Sequence, residues 1–301
     1  MSTDGDLLTE DINPQTDDID TRSTAAILRR INEEDAKVSL AVSLVLPAIE
    51  QVVERVVAAF NAGGRLIYVG AGTSGRLAAL DAAECPPTYG TDPQQVQAVI
   101  AGGPAAMTSS IEGAEDDALQ GARDIDALAV KDTDVVLGIA ASGRTPYVVG
   151  ALQRAHARGA CTAALVGNPQ GPIAAAAQLV IAPETGPEVV AGSTRMKAGT
   201  AQKMILTMIS TTAMIRTGHT YRNLMVDMQA RNSKLRQRAC RIVSQATGVD
   251  QETAERTLAA ADGQMKTAIV MLTAGVGAAQ ARDRLQQADG RVRQALQNGQ
   301  P

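Results

Sequence analysis

Aromatic side chains are scarce in this chain of 301 residues, which has one Phe, four Tyr and no Trp. Proteins that bind single-stranded nucleic acid stack bases on aromatic rings, so the composition offers little for such a surface. Basic residues are not in excess either, with 28 Lys and Arg against 32 Asp and Glu. Without a basic surplus to follow a phosphate backbone, we expect no nucleic-acid partner.

Cysteine, histidine and long apolar runs are also sparse. The cysteines (Cys85, Cys161, Cys240) and histidines (His156, His219) show no metal-ligand spacing, which predicts reduced thiols and no metal site. The N-terminus is acidic and polar, whereas a signal peptide has a basic start and an apolar stretch. No window contains the ~18 uninterrupted apolar residues of a membrane span. We therefore expect a cytoplasmic protein with no membrane partner.

Short β-rich runs alternate with helix-compatible stretches through the middle of the chain. The runs are 65–69, 96–101, 134–140, 161–166 and 179–182. This alternation predicts an α/β fold with a doubly wound, mainly parallel sheet of five strands. Apolar residues at helical spacing from Ser23, and again from Val38 to Val56, predict two helices before the first strand.

The two ends of the chain differ from this middle part. Residues 1–21 are polar and acidic, and we expect them to form an extended N-terminal arm. We assign residues 22–230 to the α/β domain with its leading helices, which ends in a Met- and Ala-rich helix over 194–216. Residues 231–301 are rich in Arg, Gln and Ala at helical spacing. They predict a small all-helical C-terminal domain with one helix starting near Gln251.

The loop Gly70-Ala71-Gly72-Thr73-Ser74-Gly75 follows the first predicted strand and matches the dinucleotide fingerprint G-x-G-x-x-G. A dinucleotide site also needs an acidic residue at the end of the second strand, and residues 96–103 contain none. Thr73 and Ser74 carry hydroxyl groups that can donate to a terminal phosphate beside the helix amides. The loop therefore favours a monophosphate and no cofactor; a tight turn without a ligand is the third interpretation.

A second loop, Ser142-Gly143-Arg144-Thr145-Pro146, follows the strand over 134–140. Pro146 suits a first helical turn, and the hydroxyls of Ser142 and Thr145 are placed to cap that helix. The carboxyl ends of neighbouring parallel strands open onto one crevice, which is where α/β sheets bind ligands. We therefore expect one shared site for a phosphorylated ligand, lined by Gly72, Thr73, Ser74, Ser142, Gly143 and Thr145.

Longer motifs narrow this interpretation. The first loop runs through Arg76 to Asp81-Ala82-Ala83-Glu84-Cys85-Pro86-Pro87-Thr88, and is followed by Ile111-Glu112-Gly113-Ala114-Glu115-Asp116-Asp117 and by Gly192-Ser193-Thr194-Arg195-Met196-Lys197-Ala198-Gly199-Thr200-Ala201-Gln202-Lys203. The pair of loops resembles the sugar isomerase domain. The longer motifs resemble the N-acetylmuramic acid 6-phosphate etherase family, in the same order, from roughly Thr9 to near the C-terminus.

The resemblance implies cleavage of the ether that joins D-lactate to carbon 3 of N-acetylmuramic acid 6-phosphate. It implies that Glu84 protonates the departing lactate, that Glu115 acts on the carbon 2 proton, and that the enzyme is a homodimer. From the residues alone, Pro86 and Pro87 are expected to end a helix, which puts Glu84 at a rigid break. Glu115 stands in an acidic cluster, a pattern also typical of a solvated helix start.

The motif around Ser193 supplies a third set of candidate binding groups. The hydroxyls of Ser193 and Thr194 and the charges of Arg195 and Lys197 are candidates for contacting the phosphate or the lactyl carboxylate, and surface ion pairs are the alternative for the two charged residues. A regulatory phosphosugar-binding protein and an aldose–ketose isomerase are the rival functions. The presence of both glutamates argues against the first, and the Glu-Cys-Pro-Pro run argues against the second. A phosphosugar-responsive DNA regulator is excluded because the chain has no basic helix-turn-helix segment.

Overall fold

The computed structural model describes residues 10–228 and 233–297. The chain divides into two compact units, one made of residues up to Ala83 with Pro93–Ser210, the other made of Glu84–Asp92 with residues from Thr211 onward. The predicted domain border at residues 230 and 231 lies outside the described residues, as do residues 1–9 of the predicted arm.

Within the described residues, the first unit contains a five-stranded sheet in which every neighbouring pair is parallel. Its strands, in the order β2-β1-β3-β4-β5, are β1 (Leu66–Gly70), β2 (Val96–Ile100), β3 (Val135–Ala140), β4 (Cys161–Val166) and β5 (Leu179–Ile181). The predicted α/β fold and its five strands are confirmed. The central strands β1 and β3 are buried throughout because both faces of a parallel sheet are covered.

The helices of the first unit are α1 (Thr24–Asp35), α2 (Val38–Leu44), α3 (Leu46–Asn61), α4 (Gly72–Tyr89), α5 (Ala118–Ala127), α6 (Pro146–Ala157), α7 (Pro172–Ala175) and α8 (Lys197–Arg216). The last residues of α4 and α8 fall outside the limits of this unit. The prediction of two helices before β1 was wrong, because the second predicted helix, which starts at Val38, is interrupted at Val45. Pro47 has no amide hydrogen for a further turn, so the chain bends there by 61° and restarts as α3. In the described residues, no single helix is long and apolar enough to cross a membrane.

The described part of the N-terminal arm is folded, so the prediction of an extended arm was wrong for these residues. Residues 10–21 form turns and a short 3-10 helix over Ile19–Thr21. Two buried side chains fasten this segment to a distant loop: the Thr16 hydroxyl donates to the Val189 carbonyl at 2.8 Å and the Asn13 amide donates to the Pro187 carbonyl at 3.3 Å. These bonds satisfy polar groups that would otherwise favour a solvated arm.

A buried ion pair joins α1 to α8. The Lys197 ammonium lies 2.8 Å from a carboxylate oxygen of Glu34, and both side chains are 2% exposed. Lys37 binds the other Glu34 oxygen at 2.5 Å. Glu188 caps the same end of α8 by accepting from the amides of Lys197 and Ala198 at 2.8 and 3.0 Å. Negative charge here also complements the positive end of the helix dipole.

Helices α5 and α6 pack almost backbone to backbone. A Cβ atom at Gly121 would lie 2.0 Å from the Tyr147 carbonyl oxygen, and one at Gly150 would lie 2.0 Å from that of Ala118. A 3-10 helix over Ala114–Asp116 immediately precedes α5 and contacts α6. The close packing of α5 and α6 therefore fixes the position of Glu115 at the end of the loop that follows β2.

The second unit contains α9 (Ser233–Thr247), α10 (Gln251–Ala260), α11 (Met265–Ala274), α12 (Ala278–Gln287) and α13 (Val292–Gln297). The predicted helical character of this region is confirmed. Helix α10 starts at Gln251 as predicted, because Asp250 accepts from the Thr253 amide at 2.7 Å and caps it. A small antiparallel pair, β6 (Thr220–Tyr221) and β7 (Leu224–Met225), was not predicted.

We expect Glu34→Gln to lower the free energy of unfolding at neutral pH by about 3–5 kcal/mol, because it leaves the Lys197 ammonium buried without a counter-ion. The double variant Glu34→Gln with Lys197→Met should lose less, since it removes both charges. Urea unfolding measures both changes. Lys37→Met, which removes a largely exposed partner, is the control and should cost roughly 1 kcal/mol or less. A double variant as unstable as the single one would contradict the prediction.

The same carboxylate predicts a pH dependence of stability. Burial favours a raised pKa for Glu34, but hydrogen bonds from Lys197, Lys37 and Asn13 outweigh it and lower the pKa from 4.5 to about 2. Because the folded pKa is the lower one, the stabilisation is complete above pH 4.5 and is lost as the pH falls toward 2. Acid titration of unfolding should therefore be steeper for the wild type than for Glu34→Gln, and equal slopes would refute this.

Candidate active site

The strand order reverses between β1 and β3, which pair with each other through Gly70 and Ile139 at their carboxyl ends. At such a switch point the connections leave toward opposite faces and open a crevice where α/β folds bind ligands. The glycine loop follows β1 and the second loop follows β3. The expected neighbouring position of the two strands is confirmed.

The glycines of the first loop have different roles. A Cβ atom at Gly70 would lie 2.8 Å from the Gly75 nitrogen, and one at Gly75 would lie 2.5 Å from the Ile100 side chain. Neither position therefore has room for a side chain. Gly72 has a positive φ of 51°, and no described atom lies within 4 Å of where its Cβ would be. The turn alone thus explains Gly70 and Gly75, while Gly72 borders open space at the start of α4.

A cavity of about 390 Å³ opens beside Gly72. One side is formed by Ala71, Gly72 and Arg76, and the other by the loop after β2, including Ser109 to Glu115. This volume falls in the range of roughly 300–1,000 Å³ typical of small-molecule sites. Glu115 is exposed, and the cavity brings it together with the glycine loop, although the two segments are separate in the sequence.

Ser74 is buried, and its hydroxyl donates to the side-chain oxygen of Gln202 on α8 at 2.9 Å. In this orientation the hydroxyl hydrogen is used within the fold. Turning the Gln202 amide would make its nitrogen the donor and free that hydrogen for a phosphate oxygen. Gln202 stands in the motif that begins at Gly192 but was not predicted as a site residue, because no local signal pairs it with Ser74, 128 positions away.

The second loop does not cap its helix through side chains. Thr145 precedes α6, but among the described residues its side chain makes no cap hydrogen bond, while the Ser142 hydroxyl accepts from the Arg144 amide at 3.3 Å. The expectation that these hydroxyls cap α6 was therefore wrong, since the Ser142 hydroxyl binds an amide of its own loop. Gly143 has a positive φ and lies close to the Asn168 carbonyl.

Glu84 lies on α4 with an exposed side chain, in the second unit. The expectation that Pro86 and Pro87 end the helix was wrong: α4 continues to Tyr89, and the Gly90 amide donates to the Pro86 carbonyl at 2.9 Å. Each proline removes one helical hydrogen bond, because it has no amide hydrogen to donate four residues back, and the helix continues in spite of this loss. Glu84 is thus presented by a regular helix rather than by a break.

The motif around Ser193 divides into two groups. Ser193 and Thr194 are half-buried and Arg195 is exposed in the turn before α8. Lys197, also predicted to bind substrate, is buried and paired with Glu34, and it begins the helix three residues later than predicted. Burial and a matched carboxylate explain this ammonium group without a ligand.

Asp81, one helical turn before Glu84, was not predicted to be functional. Its carboxylate accepts from the Tyr68 hydroxyl at 2.9 Å and from the Ser210 hydroxyl at 3.1 Å. Burial raises the pKa of Asp81 above its ordinary value, although these hydroxyls act in the opposite direction. Asp81 therefore ties α4 to β1 and α8. In the described ranges, no three His, Cys, Asp or Glu side chains are grouped as a metal site.

Family models match successive parts of the chain. The SIS domain matches residues 120–212, the glucokinase regulatory protein N-terminal SIS domain matches residues 48–156, and the C-terminal lid domain of glucokinase regulatory protein matches residues 222–266. Among solved structures, a putative phosphosugar isomerase from Bacteroides fragilis aligns with a TM-score of 0.49 and 23% identity, covering 64% of this chain and 91% of its own.

Two relatives match nearly the whole chain. The N-acetylmuramic acid 6-phosphate etherase of Yersinia pestis (strain Pestoides F) is 54% identical over 292 residues, which cover 97% of this chain and 99% of the relative. The protein of the same name from Yersinia pseudotuberculosis serotype O:1b (strain IP 31758) is also 54% identical over 292 residues. The chain belongs to the N-acetylmuramic acid 6-phosphate etherase family.

Proposed function

We propose that the protein is a carbon–oxygen lyase that converts N-acetylmuramic acid 6-phosphate and water to N-acetylglucosamine 6-phosphate and D-lactate. Its 54% identity to etherases over 97% of the chain supports this activity. The observation that carries the proposal is the cavity in which the glycine loop and Glu115 lie together. A regulatory phosphosugar-binding protein would need the loop but not the carboxylate.

The phosphate is the proposed anchor of the substrate. The first-turn amides of α4 and the hydroxyls of Thr73 and Ser74 are its donors at the first loop, with Gln202 turning the Ser74 hydroxyl toward it. Further polar groups come from Ser142, Gly143 and Thr145 and from Ser193, Thr194 and Arg195. Lys197 supports this arrangement indirectly, by holding the start of α8 against Glu34.

The proposed chemistry begins with the open-chain sugar, in which the carbon 1 aldehyde makes the carbon 2 proton acidic. The Glu115 carboxylate removes that proton, and the electron pair forms a carbon 2–carbon 3 double bond as the carbon 3–oxygen bond breaks. The departing lactate takes a proton from Glu84. Water then adds to carbon 3 and a proton returns to carbon 2, so the overall change is hydrolysis of the ether.

The proposal also includes the setting of the enzyme, a cytoplasmic homodimer that takes part in the recycling of cell-wall amino sugars. Three leucines of the first two helices support an interface between copies: Leu28, Leu40 and Leu44 are 61%, 67% and 81% exposed. Apolar surface of this kind is typical of contact with another subunit.

The two glutamates should be separable by isotope exchange. We expect the wild type to release D-lactate from N-acetylmuramic acid 6-phosphate, and both Glu84→Gln and Glu115→Gln to lower the rate by about 10²- to 10⁴-fold. In heavy water, Glu84→Gln should still exchange the carbon 2 hydrogen, whereas Glu115→Gln should not. Asp116→Asn, on the same 3-10 helix, is the control and should keep wild-type rates. Exchange in Glu115→Gln but not in Glu84→Gln would reverse the assignment.

The phosphate anchor predicts a different kinetic effect. Ser74→Ala should raise the Michaelis constant for the phosphorylated substrate with a smaller change in kcat, because it removes binding that ground state and transition state share. Gln202→Glu should act in the same direction, since a carboxylate can only accept from the Ser74 hydroxyl and holds its hydrogen away from the phosphate. Steady-state kinetics measure both. Ser43→Ala on α2 is the control, and an unchanged Michaelis constant for Ser74→Ala would remove this residue from the site.

A further inference from the structure

Arg76 connects the helix that follows the glycine loop to the loop that carries Glu115. It lies in the first turns of α4, and its guanidinium group donates to three backbone carbonyls. The Nε atom lies 2.9 Å from the Ala106 oxygen and 3.3 Å from the Met107 oxygen, and a terminal nitrogen lies 3.0 Å from the Ser109 oxygen. All of these atoms belong to the first unit.

The three carbonyls are at the end of a 3-10 helix over Gly103–Met107 and in the turn after it. The last carbonyls of a helix have no partner within it, and they carry partial negative charge. The planar guanidinium presents several donors in a fixed fork, so one side chain can satisfy a row of such oxygens. A lysine ammonium at the same place cannot reproduce that fork.

The segment that Arg76 holds forms one wall of the cavity, and the same segment carries Glu115. It starts at Gly102, where a Cβ atom would lie 3.0 Å from the Ile111 side chain, so the loop folds back on its own start. Six residues after Ser109 it reaches Glu115, in the 3-10 helix that precedes α5. Helix α5 fixes the far end of this loop, and Arg76 fixes its near end against the helix of the glycine loop.

We propose that Arg76 is a positioning residue that sets the distance between the phosphate-binding loop and Glu115 by clamping the carbonyls of Ala106, Met107 and Ser109. This inference deepens the proposed function and rests on it. Arg76 also lines the cavity, so direct contact with the phosphate is the competing role. The two roles predict different kinetics, because a clamp acts on the reaction of Glu115 and a ligand contact acts on substrate affinity.

The test compares Arg76→Ala and Arg76→Lys with the full-length wild type. For Arg76→Ala we expect kcat and carbon 2 exchange to fall together by about 10²-fold, the effect of a misplacement near 1 Å, with the Michaelis constant within about threefold. Arg76→Lys should show a weaker form of the same pattern. Under native conditions, glutamyl endopeptidase should cut both Arg76 variants after Glu112 and Glu115 faster than it cuts the wild type. Mass spectrometry can detect these cleavages. Arg154→Ala, which loses an ion pair with Asp126 elsewhere in the unit, should change none of these.

Two results would overturn the clamp. A raised Michaelis constant with unchanged kcat and exchange would make Arg76 a phosphate ligand. Wild-type kcat together with wild-type cleavage after Glu112 and Glu115 would show that the loop does not depend on Arg76. The proteolysis is independent of catalysis: if the wild type releases no lactate, the proposed function fails, and cleavage still decides whether Arg76 holds the loop.

Discussion

The turn from β1 into α4 is the constraint on which the candidate site depends. At Gly70 and Gly75 the backbone comes so close to itself and to Ile100 that side chains larger than hydrogen are excluded. This close approach lets α4 start directly at the carboxyl edge of the sheet, with its free amides facing the crevice. It also sets the direction in which Arg76 leaves the helix, and through Arg76 the place of the loop that leads to Glu115.

Buried and half-buried polar groups of the first unit hold the elements around this turn. Glu34 and Lys197 join α1 to α8, Glu188 caps α8, and Asp81 links α4 to β1 and α8. Each is costly to bury alone and tolerable because its partner is present. A framework of matched charges and hydroxyls therefore holds the elements of the candidate site, whereas the side chains of Arg195 and Glu115 are exposed.

The differences between the sequence predictions and the structure concern prolines in helices and the partners of polar side chains. The break at Val45 and the passage of α4 through Pro86 and Pro87 both concern proline, which stands in the first turn of α3 but is accommodated inside α4. The hydroxyls of Ser142 and Thr145 were predicted to cap α6, but in the part of the chain that the structure describes neither side chain does so. The sequence also gave no sign that the charged side chain of Lys197 is buried beside Glu34. For Ser142 and Lys197, the partner of the side chain depends on the surrounding structure and not on the local pattern.

The sequence by itself determined the α/β fold, the five strands, the two loops and the family. Parallel strands that are buried on both faces have short apolar sequences, and the loops have characteristic local motifs. Only the tertiary structure decided that Ser74 meets Gln202, that Lys197 meets Glu34 and that Glu115 shares a cavity with Gly72. The first two pairs are separated by 128 and 163 positions. Contacts of this kind depend on how helices pack against the sheet, and the local periodicity of a sequence does not contain that information.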